Sequence, residues 1–232
     1  MAKTGAVVRG ECVTSHGLLA AMFYRIAQLL IIVVGKVYFR LTSDGREHIP
    51  KSGGVLLVSN HSSFLDPPLI GCQVPRIVHY MAKEELLRIP VLGWVVRHLN
   101  VIPIRREGID RKALEGAIEI LRHGGIVLIF PEGTRSKDGT IQNPHGGAGM
   151  IAVACENVAV VPVYIHGTFE AMPPKARFPK PRKVHVSYGE PFTIRDTDAA
   201  ASHEDRYRRI SVLMMERVRK VQERRASGSR AS

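Results

Sequence analysis

The chain is poor in the residues that staple a fold or bind metal. It has 3 cysteines in 232 residues, Cys12, Cys72 and Cys155. An odd number without close pairs excludes a disulfide framework and fits a reducing compartment. Its 10 histidines are scattered, with no H-x-H, HExxH or CxxC, so no metal site is expected. No P-loop, internal repeat or low-complexity domain is present. Aromatic residues make up only 6%, too few for the interleaving that single-stranded nucleic acids need, and no nucleic-acid partner is expected. Only one stretch, Leu18–Phe39, barely reaches the roughly 20 mostly apolar residues of a spanning helix, so spanning the bilayer or lying in its interface both stay open. Between Leu18 and Phe39, the charged or polar Arg25, Gln28 and Lys36 interrupt the apolar stretch around Leu29–Val34. That pattern predicts a helix lying in a membrane interface, with Arg25, Lys36 and Arg40 at headgroup level. A core helix is the competing reading. No small-residue cleavage site follows, which argues against a secretory signal.

What is present is a globular chain, 45% apolar, with a net charge of +12. The charge is unevenly placed. Residues 41–170 carry thirteen basic and thirteen acidic side chains, so the excess lies in the flanks. A basic periphery around a neutral centre suits an anionic surface such as lipid headgroups.

Strand and helix signals alternate. Val55–Ser59 and Ile126–Phe130 read as short buried strands, with further strands at Ile77–Met81, Val101–Ile104, Val158–Ile165 and Val184–Tyr188. Helices are expected over Glu84–His98, Asp110–Arg122, Ala148–Glu156 and Ser202–Arg225. The stretch Thr42–Gly45 reads as a connector, and Pro173–Pro181 as a loop. The pattern predicts an α/β fold with a central, mostly parallel sheet flanked by helices, preceded by an apolar membrane-associating helical segment. Three regions are expected: 1–44 as that segment, 45–195 as the α/β core, and 196–232 as a basic helix and tail.

Two clusters carry chemistry. His61 and Asp66 leave the Val55–Ser59 strand five residues apart. On one continuous helix they would point about 140° apart. They can meet if His61 ends a strand and Asp66-Pro67 opens a helix, and a histidine oriented by a carboxylate is a general base near neutral pH. The alternative is an Asp66 that only caps its helix and a His61 that bonds loop backbone. The second cluster, Phe130–Ser136, also leaves a buried strand and offers Arg135 for a phosphate. Parallel pairing of the two strands would bring both clusters to one edge. Gly147-Ala148-Gly149-Met150-Ile151-Ala152 nearly matches a dinucleotide fingerprint, but no strand precedes it, so glycine-assisted helix packing is expected instead.

From Gly45 to Tyr188 the chain resembles the glycerolipid acyltransferases, in particular the 1-acylglycerol-3-phosphate acyltransferases. Four blocks appear in that family's order: His61–Asp66 as H-x4-D, Asn100–Arg106, Phe130–Ser136, and Val160–Val163. The resemblance implies that His61 is the general base and Asp66 orients it. It implies that Arg106 and Arg135 bind the substrate phosphate, with Glu132, Gly133 and Thr134 shaping the glycerol pocket. It further implies acyl transfer to the sn-2 hydroxyl of lysophosphatidic acid, giving phosphatidic acid, from acyl-CoA or acyl carrier protein as donor substrate, with no cofactor. The site would work at an anionic membrane surface on the cytoplasmic face. Another lysolipid acceptor, a lysophospholipid or a lyso-aminolipid, is the nearest alternative, and a non-catalytic membrane binder a further one. Two departures stand out. Asn100 occupies a position where the family usually has glycine, and Pro144-His145-Gly146 stands where a lysine often precedes the glycine.

Overall fold

The computed structural model describes residues 15–84, 100–104, 110–195 and 203–228. Its frame is a 7-stranded sheet. The strands are β1 (Thr42–Asp44), β2 (Val55–Ser59), β3 (Val78–Lys83), β4 (Val101–Ile104), β5 (Ile126–Ile129), β6 (Ala159–His166) and β7 (His185–Tyr188). Their spatial order is β1-β7-β6-β2-β5-β3-β4. Neighbours are parallel throughout except for β6 and β7. Flanking helices are α1 (Ser15–Tyr38), α2 (Asp66–Gly71), α3 (Arg111–Arg122), α4 (Gly147–Ala154), α5 (Thr168–Ala171) and α6 (His203–Gly228). The mostly parallel α/β architecture expected from the alternation is the one observed.

Every residue of β2 and β5 is buried, as befits strands covered on both faces. Leu57, Leu128 and Val161 face one core with Phe39, Leu69 and Ile70. Leu56, Val58 and Val127 face the other, with Ala117, Ile151 and Met214. β2 and β5 pair from Val55↔Ile126 to Val58↔Ile129, parallel and adjacent. The residues that follow them therefore leave the sheet side by side.

On α3, Asp110 caps the N-terminus by accepting from the Ala113 N–H at 3.2 Å, and Ala113, Ala117 and Leu121 are buried. On α6, Ile210, Met214, Val218 and Val221 form the buried stripe that the sequence periodicity marks. The glycines of the rejected fingerprint seat α4 against α6. The Gly149 N–H donates to Ser211 Oγ at 2.9 Å, and a Cβ at Gly149 would collide with the Tyr207 carbonyl.

Several expectations differ from the structure. Thr42–Asp44 is an edge strand paired to β7, not a connector. Three polar residues show no apolar alternation, and the partner strand supplies the geometry. The helix expected over Glu84–His98 lies outside the described residues. On α1 one polar residue, Gln28, is turned inward beside Tyr24, while Arg25 and Lys36 are exposed. Gln28 is 9% exposed and donates to the carbonyls of Cys72 and Val74, at 3.3 and 2.9 Å. Met22, Ile26, Leu29, Leu30, Val33, Val34 and Val37 are all exposed, at 50% or more. Among the described residues no helix is long and apolar enough to cross a membrane.

Candidate active site

His61 and Asp66 meet. The ring Nδ1 lies 2.9 Å from Asp66 Oδ2. The Asp66 side chain is fully buried and that of His61 is 17% exposed. The same carboxylate oxygen accepts the backbone N–H groups of Ser62 and Ser63, each at 2.7 Å. Asp66 therefore does not cap α2 at its N-cap position, which is occupied by Leu65 without a side-chain bond. Pro67 and Pro68 open α2 and bring no N–H of their own, so the carboxylate is free to turn back on the loop. The two N–H donors make this oxygen an acceptor towards the ring as well. His61 then carries its proton on Nδ1 and presents Nε2 as a proton acceptor. The imidazole also stacks on Phe130, with ring centroids 4.1 Å apart and an interplanar angle of 22°.

The exit of β5 is laced to the exit of β2. Glu132 is 2% exposed. Its Oε1 accepts the His61 backbone N–H at 2.9 Å, and its Oε2 accepts the Gln142 N–H at 3.0 Å. The Ser136 N–H donates to the His61 carbonyl at 2.8 Å. The Glu132 carboxylate thus shapes the site through backbone. Burial pushes its pKa up to about 7, against the two N–H donors, with the Asp66 charge adding to the rise and Arg219 opposing it. Gly133 has φ 66°, and a Cβ there would press on the His145 ring at 3.1 Å. A left-handed residue in so tight a place calls for glycine. Thr134 is exposed, and its hydroxyl donates to the Arg135 carbonyl at 3.3 Å.

Arg135 lies over the Phe64 ring, 3.5 Å from guanidinium carbon to centroid. Burial lowers its proton affinity, and the nearby Asp66 charge opposes that lowering. One guanidinium nitrogen, Nη1, is buried with no hydrogen-bond partner among the described residues. A buried guanidinium donor without a hydrogen-bond partner is suited to an oxyanion. Arg106 lies outside the described residues. Asn100, which opens its block, has φ 55°. Asparagine is among the few residues besides glycine that adopt this region, so the turn survives the replacement.

Sequence reasoning missed Phe64, Phe130, Asn60 and Gln142. Phe64 lies under the Arg135 guanidinium and Phe130 stacks on the His61 ring, and both stand within the blocks themselves. Asn60 ties β2 to β6 by a reciprocal pair with Ile165, its amide donating to the carbonyl at 3.0 Å and its Oδ1 accepting the N–H at 2.9 Å. Chemically, the assembled groups can hold an anion, accept a proton from a hydroxyl and stabilise the resulting imidazolium. The N–H groups of His61, Ser62, Ser63 and Ser136 are already engaged and do not serve an oxyanion.

The family model described as Acyltransferase matches residues 40–166. A chloroplastic 1-acyl-sn-glycerol-3-phosphate acyltransferase of Arabidopsis thaliana is 35% identical over 141 residues, covering 59% of this chain and 38% of the relative. A lyso-ornithine lipid O-acyltransferase of Pseudomonas aeruginosa is 34% identical over 121 residues, covering 51% of this chain and 45% of the relative. The chain thus spans less than half the length of these curated relatives. The crystal structure of a 1-acyl-sn-glycerophosphate acyltransferase from Thermotoga maritima superposes with a TM-score of 0.71 at 30% identity, over 91% of this chain and 84% of that one. With a matching family model over more than half its length and this site at the matched strand exits, the chain belongs to the acyltransferase family.

Proposed function

We propose that the chain transfers a fatty acyl group from acyl-CoA or acyl carrier protein to the free sn-2 hydroxyl of lysophosphatidic acid, giving phosphatidic acid. The observation that carries this reading is the His61–Asp66 contact at 2.9 Å, with the residue after Arg135, Ser136, bound through its N–H to the His61 carbonyl at 2.8 Å. His61 Nε2 removes the hydroxyl proton while the oxygen attacks the thioester carbonyl. The tetrahedral intermediate collapses, the C–S bond breaks, and the thiolate takes the proton back from the imidazolium. Asp66 holds the ring in the productive tautomer and stabilises its cationic form. Arg135 grips the substrate phosphate; Arg106 assists in the role that its block implies, and Glu132, Gly133 and Thr134 shape the glycerol pocket. No cofactor enters these steps.

The outward apolar stripe of α1 supports work at a lipid surface. Tyr38 at its end donates to the Pro179 carbonyl at 2.9 Å, so the stripe adjoins the loop that carries Phe178, 81% exposed. Lys175, Arg177, Lys180 and Arg182 surround that phenylalanine in sequence. An apolar face rimmed by cations is the pattern of an interfacial element on an anionic leaflet. On this reading the leaflet is the cytoplasmic one, where both donors are found.

The test is acyl transfer with a panel of acceptors and both donor types. Lysophosphatidic acid is expected to outpace lysophosphatidylcholine and lyso-ornithine lipid, and a faster rate on either of the latter two rejects the acceptor. The lyso-ornithine relative favours an aminolipid as the second reading, whereas the uncompensated guanidinium favours a phosphate.

A further inference from the structure

Between the edge strand β1, its neighbour β7 and the last turns of α6 lies a cavity of about 560 Å³. That is the size of a small-molecule pocket. It lies across the sheet from His61, because Val186 and Tyr188 face the α2-side core while His185 and Ser187 alternate with them and line the cavity. Lys183, Arg224 and Arg225 supply positive charge to its wall, and Asp44 and Glu47 form an acidic rim.

Two observations mark it as built for a ligand. Ser187 is 4% exposed, and its hydroxyl has no hydrogen-bond partner among the described residues. A buried hydroxyl left unmatched is destabilising unless something else partners it. The positive charge is also largely uncommitted. Arg224 reaches Glu190 only at 3.8 Å, with both side chains about 70% exposed, and such a pair is weak. Lys183 and Arg225 have no carboxylate partner among the described residues, while Asp44 is taken up by His185 at 3.4 Å. His48 donates from Nδ1 to the Tyr188 carbonyl at 2.8 Å, which leaves Nε2 as an acceptor on the cavity side chain. Burial lowers the pKa of His185; Asp44 opposes this, and Arg225 and Lys183 reinforce it, so these charges share one space.

We propose that this cavity is a second binding site, for a phosphate ester. Lys183, Arg224 and Arg225 take the phosphate oxygens, the Ser187 hydroxyl donates to one of them, and sugar or glycerol hydroxyls face Asp44 and Glu47. Two sources offer that chemistry: the phosphorylated ribose of acyl-CoA and the glycerophosphate head of a lipid. Only the naming of these sources rests on the proposed acyl transfer. Ile165 pairs with Val186, and Val163 with Ser59. The cavity strand therefore runs level with the exit that carries His61. It lies two strand spacings away, about 10 Å, on the opposite face of the sheet.

Isothermal calorimetry on the full chain tests this with adenosine 3′,5′-bisphosphate, glycerol 3-phosphate and inorganic phosphate. One of the two esters is expected to show a binding component that persists in Arg135→Ala and is at least tenfold weaker in Arg225→Glu and Ser187→Ala. Whichever ester binds identifies the source. Ser187→Ala removes an unmatched hydroxyl, so its melting temperature should equal or exceed the parent's, which separates lost binding from lost folding. If neither ester binds, or binding falls with Arg135→Ala and survives Arg225→Glu, the cavity site is refuted and the acyl-transfer reading stands. Equal affinity for inorganic phosphate refutes the role of Asp44 and Glu47. Arg225-dependent ester binding in a chain with no acyl-transfer activity would support the cavity and sink the proposed reaction.

Discussion

The carboxylate of Glu132 accepts the backbone N–H of His61 at 2.9 Å, across the boundary between two parallel strands. The base is thus located by the next strand's exit loop as well as by its own. Glu132→Gln replaces one acceptor with an amide N–H that faces another N–H. Losing a buried partner costs about 1–3 kcal/mol, so kcat/KM should fall about tenfold or more while KM for lysophosphatidic acid changes less. Steady-state kinetics with a urea unfolding midpoint separate this from global destabilisation.

Glu132 also predicts a pH dependence. Its folded pKa, about 7, lies above the ordinary 4.5. Between those values the folded state binds the proton more tightly, so stability is lost as pH rises from about 4.5 to about 7. The clamp itself needs the carboxylate, so activity should rise through the same upper region. Melting temperature against pH should slope downward more in the parent than in Glu132→Gln, and equal slopes would refute the assignment.

His61→Ala should lower kcat by about 10²–10⁴-fold, the usual range for general-base catalysis. Asp66→Asn should lower it by a comparable factor, because the imidazolium loses its counter-charge. The double variant should be no worse than His61→Ala alone, since the two act as a unit. Additive losses would show that Asp66 works independently of the ring.

Arg135→Lys keeps the charge but loses both the planar fork and the stack on Phe64. KM for lysophosphatidic acid should rise about tenfold, matching a lost charge-assisted bond of about 1.5–3 kcal/mol. An acceptor without phosphate should show no such rise, and a parallel rise for both acceptors would remove Arg135 from phosphate recognition.

Leu29→Ser, Val33→Ser and Val37→Ser together should abolish co-sedimentation with vesicles rich in anionic lipid. These side chains are 61%, 50% and 78% exposed, so thermal stability should not fall. Vesicle binding unchanged from the parent would remove α1 from the membrane contact.

Cys72 is buried and its thiol is pushed up to about 12 by burial, which outweighs the opposing Arg46 charge. Burial also raises Cys155. In a Cys12→Ser background, a thiol reagent at pH 8 should label the native chain negligibly and the unfolded chain at two sites. Rapid native labelling would refute this.

The sheet was legible because short apolar runs bounded by glycines can only be buried strands in a chain this long. The His61–Asp66 contact was legible for a similar local reason: Asp66-Pro67 marks a helix start, and the turn before it returns the carboxylate to His61. The carboxylate's bond to the ring was legible too, with a helix cap as the alternative; the two loop N–H groups that the same oxygen accepts were not. β1 was hidden because a strand of three polar residues takes its geometry from β7. The outward apolar stripe of α1 accords with the interfacial helix that the sequence suggests, while its inward Gln28 contact was hidden because its partners are backbone carbonyls. Glu132 looked like a substrate contact because its partners are backbone groups that no side-chain pattern announces.

The oxygen shared by one ring and two peptide groups has a kinetic corollary. The imidazole is aligned before either reactant arrives, so neither acceptor nor thioester has to assemble the catalytic dyad. Order of addition is then dictated by access from the bilayer and from solvent, and a dead-end analogue of one reactant should leave the affinity for the other nearly untouched.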